Sequence, residues 1–194
     1  MGILHRKEKL IITTIEIIDE LGIQKLSTRE IARRQGVSEA TLFRHFRTKN
    51  DLLHAVLDYY TKFDLDICES IKMKKLKPRE AIFYYIDLYT EYYQNYPAIT
   101  SIMGLSDVLR YEADLADKVK SIFYNRTSFI KELIEQAQES GDIRPDVDSE
   151  NLAITAYGFY HALCLKWRFE NQGFSLKEKT LENIEMILNA FGEN

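Results

Sequence analysis

The stretch that most constrains this chain is Leu26–Leu53, LSTREIARRQGVSEATLFRHFRTKNDLL, which combines two helix starts with one helix stop. Ser27 is a preferred N-cap residue, and Glu30 stands three residues later, as in a capping box. Gly36 can adopt the left-handed backbone that ends a helix. Ser38 then provides a second N-cap. The stretch therefore predicts two short helices joined by a tight turn.

The second short helix is predicted from Glu39 to Phe46, with Leu42 and Phe46 on its inner face at i, i+4 spacing. Two short helices that meet at a tight turn containing Gly form a helix-turn-helix, whose second helix lies in the DNA major groove. The stretch therefore predicts DNA binding. The predicted register turns five side chains outward: Glu39, Ala40, Thr41, Arg44 and His45.

The same stretch resembles the DNA-binding signature of the tetracycline-repressor (TetR/AcrR) family of bacterial transcription regulators. The resemblance rests on Thr28, Ile31-Ala32, Gly36-Val37-Ser38, Thr41-Leu42-Phe43, His45-Phe46, Lys49 and Leu52-Leu53. The family usually has Tyr at the position of Phe43. The resemblance implies phosphate contacts from Thr28, Thr41, His45 and Lys49. It implies contacts with base edges from Arg29, Glu39, Ala40, Phe43 and Arg44.

Several of these side chains have a second interpretation. Arg29 or Arg44 can pair bidentately with guanine. Glu39 can accept a hydrogen bond from a cytosine amine, or only complement the dipole of its own helix. Thr41 and His45 also fit a plain helix surface. The sequence leaves these alternatives open.

Charge is distributed unevenly along the 194 residues, whose net charge is −4. Residues 1–50 carry 10 Lys and Arg against 6 Asp and Glu, whereas residues 51–194 carry 16 against 24. Because attraction to phosphate depends on local charge, the basic N-terminal part can bind DNA although the whole chain is acidic. We therefore predict a DNA-binding domain over residues 1–50 and a second helical domain over residues 51–194.

The rest of the chain has helical apolar spacing and no convincing strand, which predicts an all-α fold of about nine helices. Residues 1–6 are expected to form an arm before the first helix. One long helix is predicted from Lys49 to about Ile71, linking the two domains. The segment NLAITAYGFYHALCLKWRFE, residues 151–170, is apolar nearly all round, so we expect it to be covered on every side.

The short helices cover only a few base pairs, so a two-fold dimer on a palindromic double-stranded operator is expected. The apolar helix at residues 151–170 and the last helix are the expected dimer surface. Paired with their symmetry mates they would form a four-helix bundle, as the resemblance implies. The alternative is that both helices are internal core.

Residues 78–170 hold most of the tyrosines, and large apolar pockets with a few polar groups are the usual small-molecule sites. We expect a repressor released by a small apolar or aromatic effector, whose binding shifts the DNA-competent population through the long helix from Lys49. An aromatic stripe is also typical of plain core, so both interpretations stand. The candidate cavity residues are Tyr85, Tyr89, Tyr92, Met103, Phe123, Tyr157, His161, Cys164 and Trp167.

Two other classes of function would require different sequence features. An architectural or partner-recruiting DNA binder would use its C-terminal domain to bind a protein, through a large exposed apolar patch. An enzyme would need a catalytic constellation, and the sequence offers none. His161 lies one helical turn from Cys164, a pattern more typical of core than of a nucleophile pair. We predict no cofactor and no metal, and expect a cytoplasmic location because no apolar run or signal segment is evident.

Overall fold

The computed structural model describes residues 3–192, which form ten α-helices and two 3-10 segments and contain no strand. The predicted all-α fold of about nine helices is confirmed, since one of the ten, α7, has only four residues. The 3-10 segments span Ile23–Lys25 and Pro97–Leu105. The α-helices are α1 (Ile3–Leu21), α2 (Thr28–Arg34), α3 (Glu39–His45), α4 (Lys49–Tyr60), α5 (Asp64–Lys74), α6 (Pro78–Asn95), α7 (Ser106–Leu109), α8 (Ala113–Glu139), α9 (Ser149–Phe169) and α10 (Leu176–Ala190).

The described residues divide into two compact units. Unit 1 consists of residues 3–62 and 97–122, and unit 2 of residues 63–96 and 123–192. The domain boundary predicted near residue 50 stays a prediction. The units divide the chain at other positions, and α8 contributes residues to both.

The first helix begins earlier than the sequence predicted. Residues 3–6 belong to α1, so the prediction of an arm was wrong for them, while residues 1 and 2 lie outside the described residues. The apolar periodicity from Leu10 onward needs only the later turns of this helix. Gly22 ends α1 as predicted, with the left-handed φ of 79° that suits glycine.

The core of unit 1 lies beneath the two short helices. Helix α1 packs against α2, α4 and the 3-10 segment at residues 97–105. Leu10, Ile15, Ile31, Leu42 and Leu52 are fully buried there. Apolar burial of this kind is the main favourable term in folding, so this core fixes the positions of α2 and α3.

The single long helix predicted from Lys49 to Ile71 is interrupted. Helix α4 ends at Tyr60, and α5 begins at Asp64. At the break the Thr61 hydroxyl donates to the Leu57 carbonyl at 3.1 Å, and the Thr61 N–H donates to the same carbonyl. The apolar periodicity continues across the break, which is why the sequence did not indicate it. The long helix was also expected to be the lever shared by both parts, but α4 belongs to unit 1 and α5 to unit 2.

Unit 2 is built around the packing of α6 against α10, with α5 on α6 and α9 on α10. Lys177 at the start of α10 forms ion pairs with Asp87 at 2.9 Å and Glu91 at 3.1 Å. The indole N–H of the buried Trp167 donates to the Phe174 carbonyl at 2.9 Å, which ties α9 to the turn after it. These contacts position α6 and α9, two of the helices that supply the cavity described below.

The sequence predicted that α9 would be covered on every side. In the single chain, one face of α9 is exposed. Leu165 is half exposed and Phe169 is 75% exposed. With the exposed Ile154, Gly158 and Ala162, these residues form a stripe along one face, because they recur three or four residues apart. In the part of the chain that the structure describes, no helix is both long and apolar enough to cross a membrane.

Candidate functional site

The caps of α2 and α3 follow the sequence prediction closely. The Ser27 hydroxyl accepts the Glu30 N–H at 3.2 Å, and the Ser38 hydroxyl accepts the Thr41 N–H at 3.2 Å. Gly36, between the helices, has the predicted left-handed φ of 61°. The turn therefore places α2 and α3 through local interactions that the sequence specifies.

The return half of the predicted capping box at Glu30 was wrong. The Glu30 carboxylate accepts hydrogen bonds from the Arg33 side chain at 2.7 and 2.8 Å, and from Arg34 Nε at 2.9 Å. These bonds lower the pKa of Glu30 to about 2, the bonds from Arg33 having the larger effect. Arg34 also pairs with Glu20 of α1 at 2.7 Å, so this network joins α2 to α1.

Glu39 has a specific partner in α2. The Thr28 hydroxyl donates to the Glu39 carboxylate at 2.6 Å, and both side chains are half buried. Glu39 is thus a link between α2 and α3 in addition to the two roles considered from the sequence. Thr28 and Glu39, two of the predicted DNA contacts, are brought together at the start of α3.

Thr41 does not face outward, so that prediction was wrong. Its side chain is only 9% exposed, and its hydroxyl shares a hydrogen bond of 3.1 Å with the Ser38 hydroxyl. Arg44 Nη2 donates to the same Thr41 oxygen at 3.0 Å. Thr41 therefore supports the exposed guanidinium of Arg44 one turn later.

The other predicted DNA-contacting residues lie at or near the surface of unit 1. Phe43 is 45% exposed, which is unusual for an aromatic side chain, and His45 is half buried. Lys49 is the first residue of α4 and lies between Thr48 and Asp51, which form the capping box of this helix. Arg29, Ala40 and Arg44 are exposed, like Lys49. The exposed members of this set are basic or apolar side chains, and they lie on the first turn of α2, along α3 and on the first turn of α4.

A small, partly open cavity lies in unit 2, within α6, α8 and α9. Its volume of about 20 Å³ is room for roughly one water molecule. Most of the wall is apolar or aromatic, and four of its residues are tyrosines. The lining consists of Tyr85, Ile86, Tyr89, Arg126, Ile130, Ala156, Tyr157 and Tyr160.

Arg126 is the charged member of this lining, and it is only 4% exposed. Its Nε and Nη2 donate to the two carboxylate oxygens of Asp64, each at 2.9 Å. Its Nη1 donates to the Tyr93 hydroxyl at 3.2 Å, and the guanidinium lies 4.9 Å from the centre of the Tyr89 ring. A buried charge needs such partners, because transfer from water is costly.

Burial keeps Tyr85, Tyr89 and His161, which interact with Arg126, uncharged at neutral pH. It raises the pKa of Tyr85 and of Tyr89 above the ordinary range of a phenol. Burial, together with the smaller effect of the positive charge of Arg126, lowers the pKa of His161 to about 4. His161 packs on Tyr157 with ring centres 4.1 Å apart. Asp64 is therefore the counter-ion of Arg126.

The predicted effector residues are only partly brought together. Tyr85, Tyr89 and Tyr157 line the cavity. Phe123 and His161 both contact the Tyr157 ring, with ring centres 5.5 and 4.1 Å apart. The remaining four lie elsewhere: Tyr92 in an open groove between α5 and α6, Met103 in unit 1, and Cys164 and Trp167 buried in α9. Burial raises the pKa of the Cys164 thiol to about 12.

Sequence reasoning missed Arg126, the most distinctive residue of the cavity. A signal was present, because Arg126 lies four residues before the buried Ile130 and seven before the buried Leu133. A charged side chain at a core position of an amphipathic helix indicates a buried partner. No comparable pattern in the sequence points to Asp64. The other lining residues not foreseen are Ile86, Ile130, Ala156 and Tyr160.

Comparison with known proteins identifies the N-terminal part. Residues 10–56 match the model of the bacterial regulatory proteins of the tetR family. The HTH-type transcriptional regulator BetI of Proteus mirabilis is 35% identical over 75 residues, which cover 39% of this chain and 37% of that protein. The nucleoid occlusion factor SlmA of Marinobacter nauticus is 24% identical over 154 residues, 79% of this chain and 77% of that protein.

Solved structures share the whole fold at low sequence identity. The ketosteroid transcriptional regulator KstR2 of Mycobacterium tuberculosis has a TM-score of 0.81 and 16% identity, covering 97% of this chain and 96% of that one. FadR from Bacillus subtilis, in complex with stearoyl-CoA, has a TM-score of 0.81 and 19% identity, covering 93% and 97%. The match at residues 10–56, which include the helix-turn-helix, identifies this N-terminal segment with the tetR family of bacterial regulatory proteins.

Proposed function

We propose that this protein is a ligand-responsive transcriptional regulator that binds a palindromic DNA operator as a dimer and acts as a repressor. The surface formed by Arg29, Ala40, Phe43, Arg44 and Lys49 carries the proposal, because it exposes basic and apolar side chains on the capped helix α3 and on the starts of α2 and α4. In this assignment Arg44 contacts a base edge and Lys49 a phosphate. The support of Arg44 by Thr41 favours a defined position for the guanidinium.

Selection of bound fragments from random duplex DNA tests this function directly. Replacing Lys49 by Ala is expected to weaken binding to all sequences alike and to reduce the salt slope by about 1, whereas Arg44→Ala should relax preference at one position. Lys72→Ala is the matched control, because Lys72 is exposed on α5 in unit 2. Equal effects of the Arg44 and Lys49 variants on operator and random DNA would contradict the assignment.

We propose that the dimer forms through α9 and α10. The exposed stripe of Ile154, Gly158, Ala162, Leu165 and Phe169 supports this, because a contiguous apolar face on a monomer marks an interaction surface. Small residues at its centre allow two helices to approach closely. Met186 on α10 is also exposed, so both helices offer apolar side chains to a second copy.

Sedimentation velocity of charged variants tests the dimer. Leu165→Glu and Phe169→Glu are expected to give monomers, because each places a charge in an apolar interface without a partner. Met73→Glu is the control, since Met73 is an equally exposed apolar residue on α5. A wild-type protein that sediments as a monomer, or a Met73 variant that dissociates as readily, would reject the α9–α10 interface.

The effector site is proposed to be the cavity around Arg126. An aromatic lining with one buried charged group is the usual composition of a ligand site. The Bacillus subtilis FadR structure holds stearoyl-CoA, and FadR of Thermus thermophilus, with a TM-score of 0.61, holds lauroyl-CoA. We therefore propose that an apolar organic molecule releases this protein from DNA. The cytoplasm is the compartment in which such a regulator meets its operator.

A second candidate is a DNA-binding protein that recruits a protein partner. The similarity to SlmA favours it, because that relative is named a nucleoid occlusion factor and aligns with 79% of this chain. Under this alternative, the open groove between α5 and α6, lined by Phe63, Tyr84 and Tyr92 among others, would be the docking surface. Operator release by a small molecule would favour the first function, and its absence with every candidate ligand would favour the second.

A further inference from the structure

The charge of the cavity wall defines what can bind there. Of its eight lining residues, Arg126 carries the only charge, and Asp64 is not part of the wall. The remaining polar groups of the wall are tyrosine hydroxyls. The surface that faces the cavity is almost entirely apolar, so a molecule that enters it meets no carboxylate, and Arg126 is the one charged residue of the wall. This environment disfavours an organic amine and favours an acceptor of hydrogen bonds, above all an anion.

The pairing of Arg126 is unequal in burial. The guanidinium is 4% exposed, whereas the Asp64 side chain is 21% exposed. If the two groups separate, Asp64 can regain water contacts, but Arg126 would remain buried without an anion. A buried guanidinium without a partner is strongly destabilising. Release of Asp64 therefore requires another anion in its place.

A carboxylate is the anion that best fits this position. Nε and Nη2 of Arg126 already hold two carboxylate oxygens at 2.9 Å each, and the planar guanidinium matches that geometry. A ligand carboxylate reaching the same atoms from the cavity would preserve the pairing of Arg126. The other lining groups, including Ile86, Ile130 and Ala156, would contact an apolar body.

We propose that the cavity binds an apolar or aromatic carboxylic acid as its anion, with the carboxylate on Arg126 in exchange for Asp64. This inference rests on the proposed function, because it names the chemical class of the effector. Asp64 is the first residue of α5, immediately after the break that follows α4. Binding of the acid would therefore free the start of α5 from α8. The ligand would act on the segment where the chain passes from unit 1 to unit 2.

Calorimetric titration with acids and their amides tests the charge requirement. The probes are benzoate, phenylacetate and octanoate, each compared with its primary amide, which has nearly the same size and no charge. At least one acid is expected to bind the wild-type chain about tenfold more tightly than its amide, a difference of about 1.4 kcal/mol. Amide binding as tight as acid binding, or no binding of any acid, would overturn the proposal.

Removing the competing carboxylate gives the sharper test. Asp64→Asn is expected to tighten binding of the acids several-fold, because Arg126 then lacks its anion. Asp66→Asn is the matched control, since Asp66 is an exposed acid on the same helix and should leave the affinity unchanged. The double variant Asp64→Asn with Arg126→Gln has no buried ion and should lose the preference for acids. A folded Asp64→Asn protein that binds acids more weakly would overturn the exchange.

Operator binding is measured separately in the same proteins. Retention of operator DNA by a chain that binds none of the acids rejects this inference and leaves the proposed regulator intact. Acid binding with the expected variant pattern, in a chain that does not bind duplex DNA, supports the inference and rejects the regulator. The two failures are therefore distinguishable.

Discussion

The two candidate sites are built in opposite ways. The proposed DNA-binding surface of unit 1 lies on the outside of an apolar core, and its side chains are placed by caps and turns within 28 residues of sequence, Leu26–Leu53. The cavity of unit 2 lies inside, and its charged pair joins Asp64 to Arg126 across 62 positions. The first depends on local structure, whereas the second depends on how distant helices pack.

This difference has an energetic consequence. Loss of an exposed side chain in unit 1 costs little stability and acts mainly on DNA affinity. Loss of the Arg126 guanidinium in unit 2 leaves the partly buried Asp64 carboxylate without its charged partner. Function and stability are thus separable at the first site and coupled at the second. The following experiments test that contrast, from the largest expected effect to the smallest.

Arg126→Gln is expected to cause the largest loss of stability. The change leaves the partly buried Asp64 without its partner, so the free energy of unfolding should fall by about 3 to 5 kcal/mol. Adding Asp64→Asn should recover part of that loss, because no uncompensated charge then remains. Urea unfolding followed by circular dichroism measures both effects. Equal stability of the single and double variants would show that the pair is not coupled.

Leu42→Ala should lower the free energy of unfolding by about 3 kcal/mol, because Leu42 is fully buried on the inner face of α3 and its truncation leaves a cavity. The same unfolding experiment gives this value, and a DNA titration at low temperature shows whether the recognition helix is still held. Affinity for operator should fall together with stability, whereas Arg44→Ala should lower affinity alone. A Leu42 variant with wild-type affinity would break the contrast.

His161 should make unit 2 sensitive to mildly acidic pH. Its pKa is lowered from 6.5 to about 4, so the unfolded chain binds a proton more readily than the folded one between those values. Stability is therefore fully present above pH 6.5 and is lost as pH falls towards 4, by about 3 kcal/mol. His161→Gln should make the thermal unfolding temperature less dependent on pH between pH 7 and 5. An unchanged slope in this variant would assign the effect to other groups.

Ser38→Ala should have the smallest effect, a loss of about 1 kcal/mol, because it removes the N-cap of α3. Thermal unfolding measures the loss. Ser128→Ala is the control, since Ser128 is exposed in the middle of α8 and caps nothing. If both variants lose the same stability, the cap is not specific.

The sequence predicted most of unit 1 around its short helices and little of the cavity. Ser27, Gly36 and Ser38 were predictable because each acts on backbone groups three or four residues away. Thr41 was misplaced because small polar residues fit either a surface or a shallow buried position. Asp64 had no local signal, since its partner lies on another helix.

The break at residues 61–63 was hidden for a related reason. Apolar spacing records which face of a helix is buried, and that face continues from Leu57 to Ile67 through the interruption. The break coincides with a tighter turn, in which the Lys62 N–H donates to the Tyr59 carbonyl three residues back, and with the hydrogen bonds from Arg126 to Asp64. Periodicity cannot report either contact.

A cavity that accommodates one water molecule also limits how fast a ligand can enter. Any larger effector must wait until tyrosine rings such as Tyr85 and Tyr89 separate, so association would be governed by the frequency of that opening and not by diffusion. The response would then be slow to begin and steeply dependent on temperature. A brief rise in effector concentration would end before the operator is released, so only a sustained rise would produce a response.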